Sequence, residues 1–113
     1  KRLMSQPPLY RLTREADADL KGIYRYTRRT WGQAQAARYA SQLQQCFTLL
    51  ATRPLAGRPR FDLRPSGLHS FGQGSHVIFY QPQSYGVLIV RVLHSSQDVN
   101  RHFGDEAQTD CDD

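Results

Sequence analysis

Residues 13–53 carry two consecutive helical patterns separated by one glycine, which constrains the fold more than any other feature of the sequence. One face of the first pattern is formed by Ala16, Leu20, Ile23, Tyr24, Thr27 and Trp31, and one face of the second by Ala36, Tyr39, Leu43, Phe47, Leu50 and Ala51. Thr13 is suited to cap the first helix, Gly32 to end it, and Arg53-Pro54 to stop the second. Because almost no chain lies between the two helices, we expect an antiparallel helical hairpin.

Short β-prone segments flank this hairpin. Residues 8–12 predict a first strand, residues 57–65 a basic, proline-bearing loop, and residues 68–72, 76–81 and 86–94 three further strands joined by turns. A last short helix is predicted from about residue 96 to residue 103. The order β-α-α-β-β-β-α indicates an α+β domain, with the helical hairpin packed on one face of a small, mainly antiparallel sheet.

The length of 113 residues suits a single domain, which we assign to residues 1–104. Residues 1–7 read as a leader, and its first three residues are candidates for vector sequence because they precede the only methionine, Met4. Residues 105–113 are acidic and almost free of apolar side chains, so we expect a disordered tail.

Charge is distributed unevenly between the domain and this tail. Five of the ten acidic residues lie in the tail, so residues 1–104 carry 15 basic and 5 acidic groups, a net charge of +10. This surface predicts an acidic partner, either nucleic acid or an acidic protein, unless the arginines serve only solubility.

Membrane, secretion and metal signals are absent from the sequence. The longest apolar run, residues 87–90, is far too short to cross a bilayer, and no signal peptide is visible. Cys46 and Cys111 predict free thiols in a reducing cytoplasm. The four histidines show no metal-ligand spacing: His69, His76, His94 and His102. We therefore expect no membrane segment, no metal and no cofactor.

The end of the last strand gathers residue types that are used in nucleophilic catalysis: Arg91, His94, Ser95, Ser96 and Asp98. A nucleophilic serine usually sits on a Gly-x-Ser-x-Gly turn, which this sequence lacks. Ser95-x-x-Asp98 instead has the spacing of a capping box at the start of the last helix. The pattern favours a strand end followed by a helix cap, and we assign no catalytic residue.

The last strand is apolar on both faces, so something must cover each of them. Strict alternation places Val87, Ile89, Arg91 and Leu93 on one face. The hairpin can cover one side of the sheet, but a single short helix cannot cover the other. We therefore expect these four residues to be open to an external segment; burial by neighbours within the chain is the alternative.

Several motifs, taken in order, resemble the ParE toxins of the RelE/ParE superfamily. They are Leu12-Thr-x-x-Ala16-x-x-Asp19-Leu20-x-x-Ile23-x-x-Tyr26-Thr27, Trp31-Gly32, Pro54-Leu-Ala-Gly57-Arg58, Gly67-Leu68, Val77-Ile-Phe-Tyr80, and Val90-Arg91-Val92-Leu93-His94 followed by Asp98. The resemblance extends from about residue 9 to residue 103.

This resemblance implies the cytoplasmic toxin of a bacterial type II toxin–antitoxin (plasmid stabilisation) module. Such a toxin is expected to trap DNA gyrase with cleaved DNA, without bond-breaking chemistry of its own. A ParD-type antitoxin would silence it in a hetero-oligomer, its acidic C-terminal segment folding over the toxin. We assign Val87, Ile89, Arg91 and Leu93 to antitoxin binding. We assign gyrase binding to Arg91, His94, Arg101 and His102.

The alternative activity is a RelE-type, ribosome-dependent mRNA endonuclease. That reaction needs a base, an acid and cations around the phosphate. Arg91, His94 and His102 could supply part of it, but Ser95 and Ser96 follow the last strand and no tyrosine lies beyond Tyr85. A plain nucleic-acid-binding module would need exposed aromatic side chains, whereas most aromatic residues here fall at positions compatible with a core.

Overall fold

The computed structural model describes residues 8–103. Within that range the elements are β1 (Leu9–Leu12), α1 (Arg14–Trp31), α2 (Gln33–Thr52), β2 (Arg58–Pro59), β3 (His69–Gln73), β4 (His76–Gln83), β5 (Gly86–His94) and α3 (Val99–His102). The predictions made for the leader 1–7, for the acidic tail 105–113 and for Cys111 lie outside the described residues.

The predicted α+β architecture is confirmed. The strands form one sheet in the order β1-β5-β4-β3-β2, in which β1 runs parallel to β5 and the other pairs are antiparallel. Two details differ from the expectation. The loop predicted at 57–65 contains the two-residue strand β2, which pairs with β3, and the last helix is only four residues long.

Thr13 and Gly32 set the ends of α1 as expected. The Thr13 hydroxyl accepts from the Ala16 N–H at 3.0 Å and donates to the Val90 carbonyl at 2.7 Å, so the same side chain caps α1 and ties its start to β5. Gly32, at a φ of 96°, ends α1 and starts α2. The capping box predicted from Ser95 is wrong, because the cap of α3 is Asp98, whose carboxylate accepts from the Asn100 N–H at 3.1 Å.

Each face of the sheet carries its own apolar core. The helical hairpin covers one face, in a cluster formed by Ala16, Leu43, Phe47, Leu50, Ala51, Ile78, Tyr80, Val87, Ile89 and Val92. The opposite face is covered by the 60–68 segment and the end of α3, in a cluster formed by Leu63, Leu68, Phe79, Leu93 and Phe103. The chain therefore fills both faces of β5 with its own side chains.

A β-bulge in β5 overturns the predicted alternation of its side chains. Ile89 pairs with Tyr80 and Arg91 pairs with Phe79, so Val90 is an extra residue without a partner in the register. Side chains therefore change face at this point: Val87, Ile89 and Val92 all join the core under the hairpin, whereas Val90 and Leu93 belong to the core on the other face.

The predicted common, open face of Val87, Ile89, Arg91 and Leu93 is therefore wrong. Val87 and Ile89 are completely buried, and Leu93 is 2% exposed on the opposite side of the sheet. None of these three apolar side chains is accessible to an external segment in this conformation.

Candidate functional site

An open groove of about 670 Å³ lies beside α1, where this helix faces the start of α2 and the ends of β4 and β5. Small side chains on α1 leave the groove open, because Ala18 and Gly22 are spaced by one helical turn on the side that lines it. Val92 of β5 contributes part of the opposite wall. The groove is therefore a feature of how the hairpin sits on the sheet.

Two aromatic side chains of α1 stand exposed at one end of this groove. Tyr26 is 60% exposed and Trp31 is 69% exposed, although both line the cavity. The expectation that Trp31 belongs to the buried stripe of α1 is wrong: Trp31 is the last residue of the helix and is exposed, whereas Ala16 and Thr27 of the same stripe are buried. Exposed tyrosine and tryptophan are the residue types that most often anchor protein–protein interfaces.

The other end of the groove is polar and holds two histidines. His76 and His94 are direct partners on β4 and β5, with ring centroids 5.4 Å apart and nearly perpendicular rings. The Tyr39 hydroxyl of α2 lies 2.7 Å from His76 Nδ1 and donates to the Gln73 carbonyl at 3.0 Å. Burial lowers the pKa of His76, His94 lowers it further, and Asp19 opposes the shift.

Asp19 connects the groove to β5 through three hydrogen bonds. Its carboxylate accepts from Arg91 Nε at 2.8 Å, from Arg91 Nη2 at 2.9 Å and from the Val92 N–H at 2.9 Å. The Asp19 bond is the main cause that raises the pKa of Arg91 above its ordinary value. Arg91 Nη1 also lies 3.3 Å from His102 Nδ1. β1 pairs with β5 only as far as Ile89. Beyond that point, the Asp19 side chain of α1 accepts a hydrogen bond from the β5 backbone at Val92.

The four residues predicted to bind gyrase are placed in different surroundings. His94 is exposed and lines the groove, Arg91 is held against Asp19, and His102 is half-buried against Arg91. Arg101 is exposed on α3 and does not line the groove. The structure therefore joins three of the four residues: Arg91 contacts His102, and Gln97 links the His94 backbone N–H to His102 Nε2.

Sequence reasoning missed Tyr26, Tyr39 and His76 as residues of a site. Tyr39 was assigned to the apolar stripe of α2, and His76 was named only among the histidines that lack metal-ligand spacing. One signal was available: Ala18, Gly22 and Tyr26 recur at a spacing of four, which puts two small residues and an aromatic one in a row beside the apolar stripe.

The His, Cys, Asp and Glu side chains of residues 8–103 are spread over the fold. In that range no three His, Cys, Asp or Glu side chains come together in a way that could hold a metal ion, and no helix is long and apolar enough to cross a membrane. Cys46 is a free thiol whose Sγ donates to Gln73 Oε1 at 3.1 Å, and burial raises its pKa.

Known proteins resemble this chain in sequence and in fold. Toxin ParE1 of Caulobacter vibrioides is 43% identical over 95 residues, covering 84% of this chain and 97% of that protein. Toxin ParE of Escherichia coli is 38% identical over 97 residues, covering 85% and 93%.

Solved structures share the fold at lower sequence identity. A chain of a chromosomal ParDE toxin–antitoxin system from P. aeruginosa superposes with a TM-score of 0.62 at 17% identity, covering 80% of this chain and 98% of that one. A chain of the RelBE2 toxin–antitoxin complex from Mycobacterium tuberculosis gives 0.58 at 22% identity, covering 79% and 99%. The family model described as the ParE toxin of the type II toxin–antitoxin system parDE matches residues 10–99. This chain therefore belongs to the ParE toxin family of type II toxin–antitoxin systems.

Proposed function

We propose that this ParE-family toxin acts by binding, trapping DNA gyrase with cleaved DNA, and that a ParD-type antitoxin silences it by occupying the groove beside α1. The groove itself is the observation that supports antitoxin binding. No element within residues 8–103 covers Tyr26 and Trp31 at its edge. Large exposed aromatic side chains beside an unfilled cavity are typical of a surface that a partner covers.

Fold likeness and charge support the antitoxin as that partner. The two solved structures described above are a ParDE system and a RelBE2 complex, each named as a toxin–antitoxin assembly. Residues 1–104 carry a net charge of +10, which suits an acidic segment that folds on binding. Apolar anchors in the groove would hold this segment, and charge would mainly speed the encounter.

The state of Arg91 supports binding over RNA cleavage. A nuclease of the RelE type needs cationic side chains that are available to the scissile phosphate. Here the Arg91 guanidinium directs two N–H groups at Asp19, and the remaining contact goes to His102. Breaking this pair to bind RNA would leave the Asp19 carboxylate without its main partner.

Truncation of Trp31 tests the groove. We expect Trp31→Ala to weaken binding of the co-encoded antitoxin by roughly 30-fold, because losing an aromatic anchor that the partner covers costs about 2 kcal/mol of binding free energy. The fold should tolerate the change, since the side chain is already 69% exposed. Isothermal titration calorimetry with the purified antitoxin measures the effect.

Phe61→Ala is the matched control, because Phe61 is 89% exposed and does not line the groove. Its dissociation constant should stay within about twofold of wild type, as for an exposed side chain outside the interface. Equal binding by wild type and Trp31→Ala would place the antitoxin elsewhere on the toxin.

A further inference from the structure

The hydrogen bonds around His76 determine which of its ring nitrogens carries the proton when the ring is neutral. The Tyr39 hydroxyl has one hydrogen, and it is donated to the Gln73 carbonyl at 3.0 Å. Because a carbonyl can only accept, we assign the hydroxyl hydrogen to Gln73 and the 2.7 Å contact with His76 Nδ1 to a bond that Nδ1–H donates. Neutral His76 is left with an unprotonated Nε2, which can only accept.

His94 has the opposite arrangement. Its Nδ1 accepts from the Ser96 N–H at 3.1 Å, so neutral His94 carries its proton on Nε2. Within residues 8–103, neither the Nε2 of His76 nor that of His94 has a hydrogen-bond partner. The polar end of the groove therefore presents one free acceptor and one free donor on neighbouring strands.

We propose that these two Nε2 atoms form a subsite for one side-chain carboxylate of the antitoxin segment, and that this carboxylate binds together with a proton taken up by His76. The inference rests on the proposed function and specifies the chemistry of its groove. A carboxylate can only accept hydrogen bonds, so it needs both rings to donate. His94 Nε2–H already donates, and protonation of His76 Nε2 supplies the second donor. The strongly basic domain makes an acidic segment the occupant that its charge favours.

The surroundings of His76 disfavour this proton in the absence of the partner. Tyr39 faces it from α2, His94 from β5, and Asp19 from α1 with its charge balanced by Arg91. Burial and His94 hold the pKa of His76 below its ordinary value, against the opposing effect of Asp19. A bound carboxylate would raise this pKa, so binding is coupled to proton uptake.

The sign of the pH dependence follows from this coupling. Affinity should rise as pH falls through the range between the raised pKa of the complex and the lowered pKa of the free toxin, and level off below it. Uptake of one proton changes affinity by up to tenfold per pH unit, so we expect about tenfold tighter binding at pH 6 than at pH 8. A side-chain carboxamide at the same place could accept from His94 and donate to His76 while both rings stay neutral. Its binding affinity would then not depend on pH.

Calorimetry of the intact toxin with its co-encoded antitoxin tests this inference. Titrations at pH 6, 7 and 8, repeated in phosphate and imidazole, which both buffer over this range, count the protons taken up through the different ionisation enthalpies of the two buffers. We expect a maximum near one proton in wild type, and both the uptake and the pH dependence lost in His76→Gln and in His94→Gln. His69→Gln, which alters a histidine on β3 outside the groove, should behave as wild type. Thermal melts confirm that each variant is folded, and long-range ¹H–¹⁵N spectra of the free toxin should show His76 protonated at Nδ1 and His94 at Nε2.

The results separate this inference from the proposed function. Binding that is weakened by Trp31→Ala but has equal affinity at pH 6 and pH 8, with no proton uptake, overturns the carboxylate subsite and leaves the groove as the antitoxin site. Proton uptake that survives in both His76→Gln and His94→Gln also overturns it. Failure of the antitoxin to bind at any pH contradicts the proposed function itself.

Discussion

Gly86→Ala should destabilise the toxin by about 4 kcal/mol or more, at the extreme of what single substitutions do. Gly86 starts β5 at a φ of 144°, a conformation that favours glycine, and a Cβ there would lie 1.9 Å from the Leu9 carbonyl oxygen. That oxygen belongs to the backbone of β1, so no side-chain rotation can relieve the clash. Urea unfolding followed by circular dichroism measures the loss, which should appear as a large fall in the midpoint.

Movement of β1 cannot easily relieve this clash. The strand pairs with β5 along its four residues, and Thr13, the next residue, donates to the Ile89 and Val90 carbonyls. Detaching β1 would therefore also free the start of α1. Gly72→Ala is the matched control, because a Cβ at Gly72 meets nothing within 4 Å, and its cost should stay below about 1 kcal/mol. Equal unfolding midpoints for the two variants would contradict the close approach of β1 to β5.

Asp19→Ala should cost about 2 to 3 kcal/mol of unfolding free energy. The change leaves the Arg91 guanidinium and the Val92 N–H without their acceptor in a region where the Asp19 and Arg91 side chains are only 14% and 21% exposed. Removing one partner of a fully buried pair costs about 3–5 kcal/mol, and the partial exposure reduces this figure through solvent screening. Denaturant unfolding at neutral pH measures the loss.

Asp17→Ala provides the comparison for Asp19→Ala. Asp17 pairs with Lys21 at 3.1 Å on the same helix, but the two side chains are 50% and 68% exposed, so we expect a loss of at most about 0.5 kcal/mol. The double variant Asp19→Ala/Arg91→Met should recover part of the stability, because it no longer buries an unpaired charge. If Asp19→Ala were no more harmful than Asp17→Ala, Asp19 would not be what holds α1 against the end of β5.

Local signals made the helices and most strands of this fold predictable from the sequence. The two apolar stripes, Thr13 as a cap and Gly32 between the helices act over a few residues, and they appear in the structure as expected apart from the exposed Trp31. The Asp98 cap shows the limit of such signals: Ser95 and Asp98 have the right spacing for a capping box, yet the cap of α3 is Asp98, three residues after Ser95. Spacing alone does not decide between two competing caps.

The faces of β5 were not predictable, because their assignment depends on contacts distant in sequence. Strict alternation assumes an unbroken register, and nothing in the residue types around Val90 announces the bulge. Arg91 is held by Asp19, 72 positions earlier, and that contact appears only when α1 lies across the strand end. The groove was missed for a similar reason: helical spacing shows which side chains share a face, but not how far the neighbouring elements extend over it.

A gyrase cleavage assay tests most directly whether this toxin acts by binding. Purified toxin is incubated with gyrase, ATP and supercoiled plasmid, and the reaction is stopped with detergent and protease before electrophoresis. We expect linear plasmid to accumulate with increasing toxin, only when gyrase is present, and to disappear when the antitoxin is added first. If gyrase kept its full supercoiling activity and no linear DNA formed when the toxin was in excess over gyrase, the proposal that this toxin traps gyrase would be contradicted.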